Sequence, residues 1–118
     1  MVELEPSSNS YYTLALAELD AGNPRAAYTA ALRAVAAARR ERSFYRLFIA
    51  SNVAGSCVMY GALGPTWRWS QVAPFLDNME EALPHLKRWA PPASLERWIE
   101  RSVAPLRECR RACAHSDR

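Results

Sequence analysis

The middle of the chain holds a long stretch without a charged residue, and this stretch limits most strongly the folds that the sequence can adopt. It runs from Leu47 to Leu63 and reads LFIASNVAGSCVMYGAL. Within it and just before it, apolar or small residues recur at the spacing that places side chains on one face of a helix. The members of this predicted core face are Phe44, Leu47, Phe48, Ser51, Gly55, Val58 and Met59.

A second face of the same predicted helix is also apolar or small, formed by Ile49, Val53, Ala54, Cys57 and Tyr60. A helix that is apolar on most sides is buried, so the stretch predicts the central helix of an all-α bundle. A membrane-spanning helix needs about 20 predominantly apolar residues. This run is shorter and contains polar residues, so we expect no membrane association.

Length and composition indicate one domain. A chain of 118 residues is long enough to bury its own core, and we treat residues 1–118 as a single helical domain. The net charge of +3 is weak evidence for a nucleic-acid partner. Three cysteines make an odd number, and one of them, Cys57, lies in the predicted core helix. This pattern favours a reducing compartment over a disulfide framework, and with no apolar leader at the N-terminus we expect a cytoplasmic protein.

Near the N-terminus, three consecutive residues predict a tight helical hairpin. Gly22 suits the end of one helix, Asn23 suits the cap of the next, and Pro24 suits a first helical position, where its missing amide costs nothing. We therefore expect a helix from about Tyr11 to Ala21 and a second, alanine-rich helix from Pro24 to about Arg42. The alanines that form the inner face of the second helix are Ala27, Ala31, Ala34 and Ala38.

This hairpin resembles one tetratricopeptide repeat (TPR). The residues at matching spacings are Leu14, Ala15, Gly22, Asn23, Ala27 and Ala34, within residues 11–40. The resemblance implies a pair of antiparallel helices of the kind that presents a surface to protein partners. No second copy follows at the family's period, so the sequence predicts one TPR-like hairpin and no array.

The sequence leaves open whether residues 24–63 form one helix or two. Ser43 either caps a separate central helix or lies inside one continuous helix. Beyond the central helix, residues 61–66 predict a loop, because glycine and proline punctuate them.

Prolines divide the C-terminal half. Pro74 is predicted to begin a helix, and Pro84 is predicted to kink or restart it. Ser94 is predicted to cap a last helix over residues 95–114, which Pro105 should bend. Together with the preceding elements, these predictions describe a compact bundle of about five helices.

One spacing near the C-terminus resembles a nuclease motif. Arg110, four further residues and His115 are similar to the motif of the HEPN family, small helical domains that include metal-independent ribonucleases. The resemblance implies that Arg110 would stabilise phosphate charge and that His115 would assist proton transfer. The simpler interpretation is a solvated basic helix end, where cations are favoured by the helix dipole.

The same segment offers a weak candidate for a metal site. Cys109, Cys113 and His115 lie close in sequence, and residues four apart share a helix face. A structural zinc site uses four ligands, however, and nothing in the sequence places a fourth nearby. We therefore expect no metal and no other cofactor.

All four tryptophans fall within residues 67–98, and each of them has an arginine next to it in the sequence. Such interleaving is typical of protein-binding hot spots and of single-strand nucleic-acid binding. We expect Trp89 and Trp98 to pack in the core. Trp67 and Trp69 are two residues apart and do not share one helix face, so at least one is expected to be exposed. Trp67, Arg68 and Trp69 are therefore the predicted partner-binding residues.

These observations favour a non-catalytic protein-protein interaction module, an adaptor or accessory subunit. Its predicted partner is another protein or a second copy of the chain, which would make a homodimer. The alternative is a HEPN-like protein that binds or cleaves RNA through Arg110 and His115. The sequence contains no glycine-rich phosphate loop and no nucleophile motif, which favours a protein without enzymatic activity and leaves the ribonuclease alternative open.

Overall fold

The computed structural model describes the backbone of residues 6–116 and the side chains of residues 6–113. Its elements are α1 (Ser8–Asp20), α2 (Pro24–Glu41), α3 (Phe44–Met59), α4 (Trp69–Leu86), α5 (Pro92–Trp98), a π-helical turn (Ile99–Val103) and α6 (Ala104–Ser116). The last three follow one another without a break, and we call them together the C-terminal helix (92–116). The described residues contain five helical rods and no strand, which confirms the predicted all-α bundle.

The helices pack in chain order, each against the next, with α3 between α2 and α4. The N-terminal half of α1 is tied to the end of α2, and α6 lies on α4. Almost the whole length of α3 is buried, which confirms the predicted central helix. Its buried residues are Leu47, Phe48, Ala50, Ser51, Val53, Ala54, Gly55, Cys57 and Val58. Tyr60 is an exception: it follows the last turn of α3 and is 70% exposed, so its predicted inward position is wrong.

The turn between α1 and α2 forms where Gly22, Asn23 and Pro24 predict it. Asn23 occupies the cap position, but its side chain does not cap α2 and donates instead to the carboxylate of Glu18. Gly22 adopts a left-handed conformation with φ of 82°, and Pro24 is the first residue of α2. The amide of Asn23 donates to the carbonyl oxygen of Glu18 at 2.8 Å, which closes the end of α1. The four alanines of the predicted inner face of α2 are buried.

Residues 24–63 form two helices separated at Arg42. This residue has a φ of 56°, in the left-handed region, and it ends α2. The Ser43 hydroxyl then accepts a hydrogen bond from the Arg46 amide at 3.2 Å and caps α3. The open question is therefore decided by the cap, which satisfies one of the free amides at the start of α3.

The sequence predicted that Pro74 begins a helix and that Pro84 kinks or restarts it, but the structure has no helix start at either proline. α4 begins at Trp69, five residues before Pro74, and contains both Pro74 and Pro84. Both prolines lie on the exposed side of α4. The helix continues through both positions.

The C-terminal helix also starts earlier than predicted, at Pro92 instead of Leu95. Its expected distortion near Pro105 takes the form of a π-helical turn over Ile99–Val103. The amide of Ala104 donates to the carbonyl oxygen of Ile99, five residues back. This wider turn relieves the clash that Pro105 would make with the carbonyl group of Arg101 in a regular α-helix.

Candidate functional site

The alternating direction of the helices defines two ends of the bundle. The α1–α2 turn, the α3–α4 loop and the end of α6 lie at one end, which we call the Trp67 end. The α2–α3 junction, the α4–α5 loop and the start of α1 lie at the other, which we call the Trp89 end. The predicted binding residues Trp67, Arg68 and Trp69 thus lie where three segments of the chain meet.

Trp67 and Trp69 stand on either side of the residue that caps α4. Arg68 occupies the cap position in an extended conformation, and its amide donates to the side-chain oxygen of Gln71 at 2.9 Å. Both rings are partly buried and pack against the core. The expectation that at least one ring would be exposed is therefore wrong. The reason is that one ring precedes the cap and the other follows it, so both can turn towards the protein.

A shallow depression of about 560 Å³ lies beside these residues, and it is lined by Trp67, Arg68, Trp69, Ser70 and Cys113. The fifth lining residue comes from α6, more than 40 positions later in the chain. The structure therefore brings the three predicted residues together and adds Cys113. The sequence carried no signal for this position, because only the packing of α6 against the rest of the bundle places it there.

Arg68 is the exposed charge of this depression. It forms no ion pair with any acidic residue in the part of the chain that the structure describes. The aromatic surface beside it is held in place by the core. The arrangement can accept an apolar side chain against the indole rings and a carboxylate on the guanidinium group.

Two further exposed apolar residues lie at the Trp67 end, in the segment that connects α3 to α4. Tyr60 is 70% exposed and Leu63 is 43% exposed. Tyr60 also borders a second depression of about 500 Å³, together with Leu19, Asp20 and the α1–α2 turn. The Trp67 end therefore carries more exposed apolar surface than the three predicted residues alone.

The tryptophan that projects into solvent is Trp89, which is 58% exposed. The prediction that it packs in the core is wrong, whereas Trp98 is partly buried against the core as expected. The reason is that α4 ends at Leu86. Leu86 and Ala90 take the buried positions, and the intervening loop turns Trp89 outwards.

Arg110 lies on α6 opposite α4. Its guanidinium group is 3.5 Å from the carboxylate of Glu80, which also forms a bidentate ion pair with Arg107. The hydrogen bond from Arg107 is the main reason that the pKa of Glu80 is lowered. A phosphate group bound by Arg110 would therefore compete with Glu80. The side chain of His115, the second residue of the HEPN-like spacing, is outside the described part of the chain, and that hypothesis stays a prediction.

The described residues contain no group of three histidine, cysteine, aspartate or glutamate side chains that could hold a metal ion. Cys109 and Cys113 are both partly buried and lie one turn apart on α6. The third residue of the weak metal hypothesis, His115, again falls outside the described side chains. Within residues 6–116, no helix combines the length and the apolar character needed to cross a membrane.

Comparisons with known proteins give no relative. The chain matches no model of a protein family, and no curated protein and no solved structure resembles it significantly. The residues of this chain are therefore the basis on which its function is inferred.

Proposed function

We propose that this chain is a non-catalytic interaction module, an adaptor or accessory subunit that binds a protein through its Trp67 end. The observation that supports this proposal most strongly is the depression lined by Trp67, Arg68, Trp69, Ser70 and Cys113. Tryptophan and arginine are the residues that most often dominate the energy of protein interfaces. Here two indole rings border one depression with the guanidinium group of Arg68, which forms no ion pair with an acidic residue that the structure describes.

The partial burial of both indole rings also supports the proposal. Rings that the core already holds lose little conformational freedom when a partner binds, so more of the contact energy appears as affinity. A stable interface buries roughly 800 Å² of surface on each partner, contributed by about 20–30 residues. The five residues that line the depression are therefore only part of such an interface. Tyr60 and Leu63 supply further exposed apolar surface in the loop that leads to Trp67.

The partner is another protein or a second copy of the chain, and the same surface serves either one. We expect the partner to place an apolar side chain against Trp67 and Trp69 and an acceptor group on Arg68. A second copy would bury the same patch twice across a two-fold axis.

The test uses exposed residues of the depression, because replacing either tryptophan would also disturb the core. Ser70→Trp fills the depression and Arg68→Glu reverses its charge, and both positions are exposed. Thr13→Trp places the same bulk on an exposed position of α1 and is the matched control. Each variant is immobilised and exposed to nuclease-treated lysate of the source cell, and self-association is measured by sedimentation velocity.

We expect one protein partner, or the self-associated species, to be retained by the wild type and by Thr13→Trp. The same species should be lost from Ser70→Trp and from Arg68→Glu. The proposal is wrong if every bound protein is retained equally by all four forms and the chain stays monomeric at all concentrations.

A further inference from the structure

The Trp89 end concentrates positive charge. Within residues 39–46 and 81–89, six basic residues accompany two acidic ones, an excess of four positive charges against a net charge of +3 for the whole chain. The basic residues are Arg39, Arg40, Arg42, Arg46, Lys87 and Arg88. The rest of the sequence carries a net charge of −1.

Both acidic residues of this end are already engaged. The carboxylate of Glu41 accepts hydrogen bonds from the amide and the hydroxyl of Ser8, at 2.8 Å and 2.5 Å. The carboxylate of Glu81 accepts from the guanidinium group of Arg39 at 3.0 Å and 3.2 Å. By contrast, Arg42, Lys87 and Arg88 are exposed, and none of them pairs with an acidic residue that the structure describes.

An exposed aromatic ring lies among these unpaired cations. Trp89 follows Lys87 and Arg88 directly, is 58% exposed and meets Tyr45 edge to face, with ring centroids 5.8 Å apart. Tyr45 belongs to the first turn of α3, next to the α2–α3 junction that carries Arg42. The ring and the three cations thus share one end of the bundle.

The loop that carries Trp89 is ordered by its own backbone. The amides of Trp89 and Ala90 both donate to the carbonyl oxygen of Leu86, at 3.2 Å and 2.9 Å. Ala90 is buried and two prolines follow it, which further restricts the loop. Tryptophan and arginine are among the residues most enriched in the hot spots of protein interfaces.

We propose that the Trp89 end is a second binding surface, and that its ligand is an acidic polypeptide segment with an apolar residue among its carboxylates. The apolar residue packs on Trp89, and the carboxylates pair with Arg42, Lys87 and Arg88. This surface lies opposite the Trp67 end and does not depend on the function proposed there. Two binding surfaces at opposite ends allow the chain to connect two proteins.

The number and kind of groups favour a polypeptide over other anions. Single-stranded nucleic acid is bound by several aromatic side chains along a basic groove, whereas Trp89 is the one exposed aromatic side chain among the described residues of this end. One exposed indole ring with a few cations around it matches the hot spot of a protein interface.

The test is a selection of short random peptides on immobilised wild-type protein. The peptide pool is first depleted on the Lys87→Glu/Arg88→Glu variant, which removes peptides that bind elsewhere. Both substituted side chains are exposed, and circular dichroism checks that the variant keeps its helices. We expect the selected peptides to be enriched in aspartate and glutamate around an apolar residue.

One selected peptide is then labelled, and its affinity is measured by fluorescence anisotropy. We expect affinity to fall by about tenfold or more for Lys87→Glu/Arg88→Glu and for Trp89→Ala. Leu32→Ala removes an exposed apolar side chain from the middle of α2 and should leave the affinity unchanged.

Three results would overturn the proposal. The first is a selected pool without an acidic excess. The second is an affinity that Trp89→Ala and the charge reversal both leave unchanged. The third is that the protein binds oligothymidine or phosphatidylserine vesicles more tightly than the peptide, and that Lys87→Glu/Arg88→Glu loses this binding.

Discussion

Gly55 lies in the middle of α3 where α4 crosses it, and we predict that alanine at this position stabilises the protein. A Cβ atom built on Gly55 would lie 3.7 Å from Cβ of Phe75 and 3.8 Å from Cγ1 of Val72. These are ordinary van der Waals distances, so the methyl group fits without displacing α4. Alanine therefore adds contacts in the core and removes the entropic cost of a glycine inside a helix.

The expected gain follows from the helix propensities. Glycine is less favourable than alanine in a helix interior by about 1 kcal/mol. For a chain of this length, 1 kcal/mol corresponds to an increase of about 3–5 °C in melting temperature. Gly55→Leu should have the opposite effect, because the space next to Val72 and Phe75 accepts one methyl group and no more. Overpacking of this kind costs about 1–3 kcal/mol.

Gly22 is the matched control for the same chemical change. Its φ is 82°, a conformation that alanine adopts at a cost of about 1–2 kcal/mol, although a Cβ atom there would contact nothing within 4 Å. Gly22→Ala should therefore lower the melting temperature and Gly55→Ala should raise it. Thermal unfolding followed by circular dichroism at 222 nm measures both. A lower melting temperature for Gly55→Ala would contradict this prediction. It would mean that α3 and α4 are too close to accept a methyl group at position 55.

Three further predictions concern other parts of the molecule. Hydrogen bonds from Ser8, with a smaller contribution from the charge of Arg46, lower the pKa of Glu41. The ionised carboxylate therefore stabilises the fold at neutral pH, and this stabilisation is lost as the pH falls below about 4.5. Chemical unfolding at several pH values should show a weaker acid dependence for Glu41→Gln than for the wild type, and an unchanged dependence would contradict this. Burial raises the pKa of the Cys57 thiol to about 11, so iodoacetamide at pH 8 should modify Cys57 in the unfolded protein and leave it unmodified in the folded one, as read by mass spectrometry. Arg110→Ala should leave partner binding unchanged. If the wild type cleaves RNA and this variant does not, the HEPN-like alternative is favoured.

The candidate site was predictable in part. The close spacing of Trp67, Arg68 and Trp69 was visible in the sequence, and the three residues do line one depression. Their degree of burial was not predictable, because it depends on where α4 begins, and Pro74 pointed to a later start. Cys113 joins the site only because α6 packs against α4, a contact between residues far apart in the chain.

The two assignments of tryptophan exposure failed for one reason. Trp89 was expected inside and is exposed, whereas Trp67 and Trp69 are both more buried than expected. Each lies within three residues of an end of α4. Helical periodicity determines which way a side chain points inside a helix, but it gives no direction for residues in a cap or a loop.

The sequence alone determined the elements whose signals are local. The uncharged run predicted the buried α3, because a helix that is apolar on most sides has no surface to present to water. Gly22, Asn23 and Pro24 predicted the α1–α2 turn through their own backbone preferences. Only the tertiary structure decided how the prolines of the C-terminal half are accommodated and which charges pair across helices. Those outcomes depend on which face of a helix meets water and which meets its neighbour, and this becomes defined only when the helices pack together.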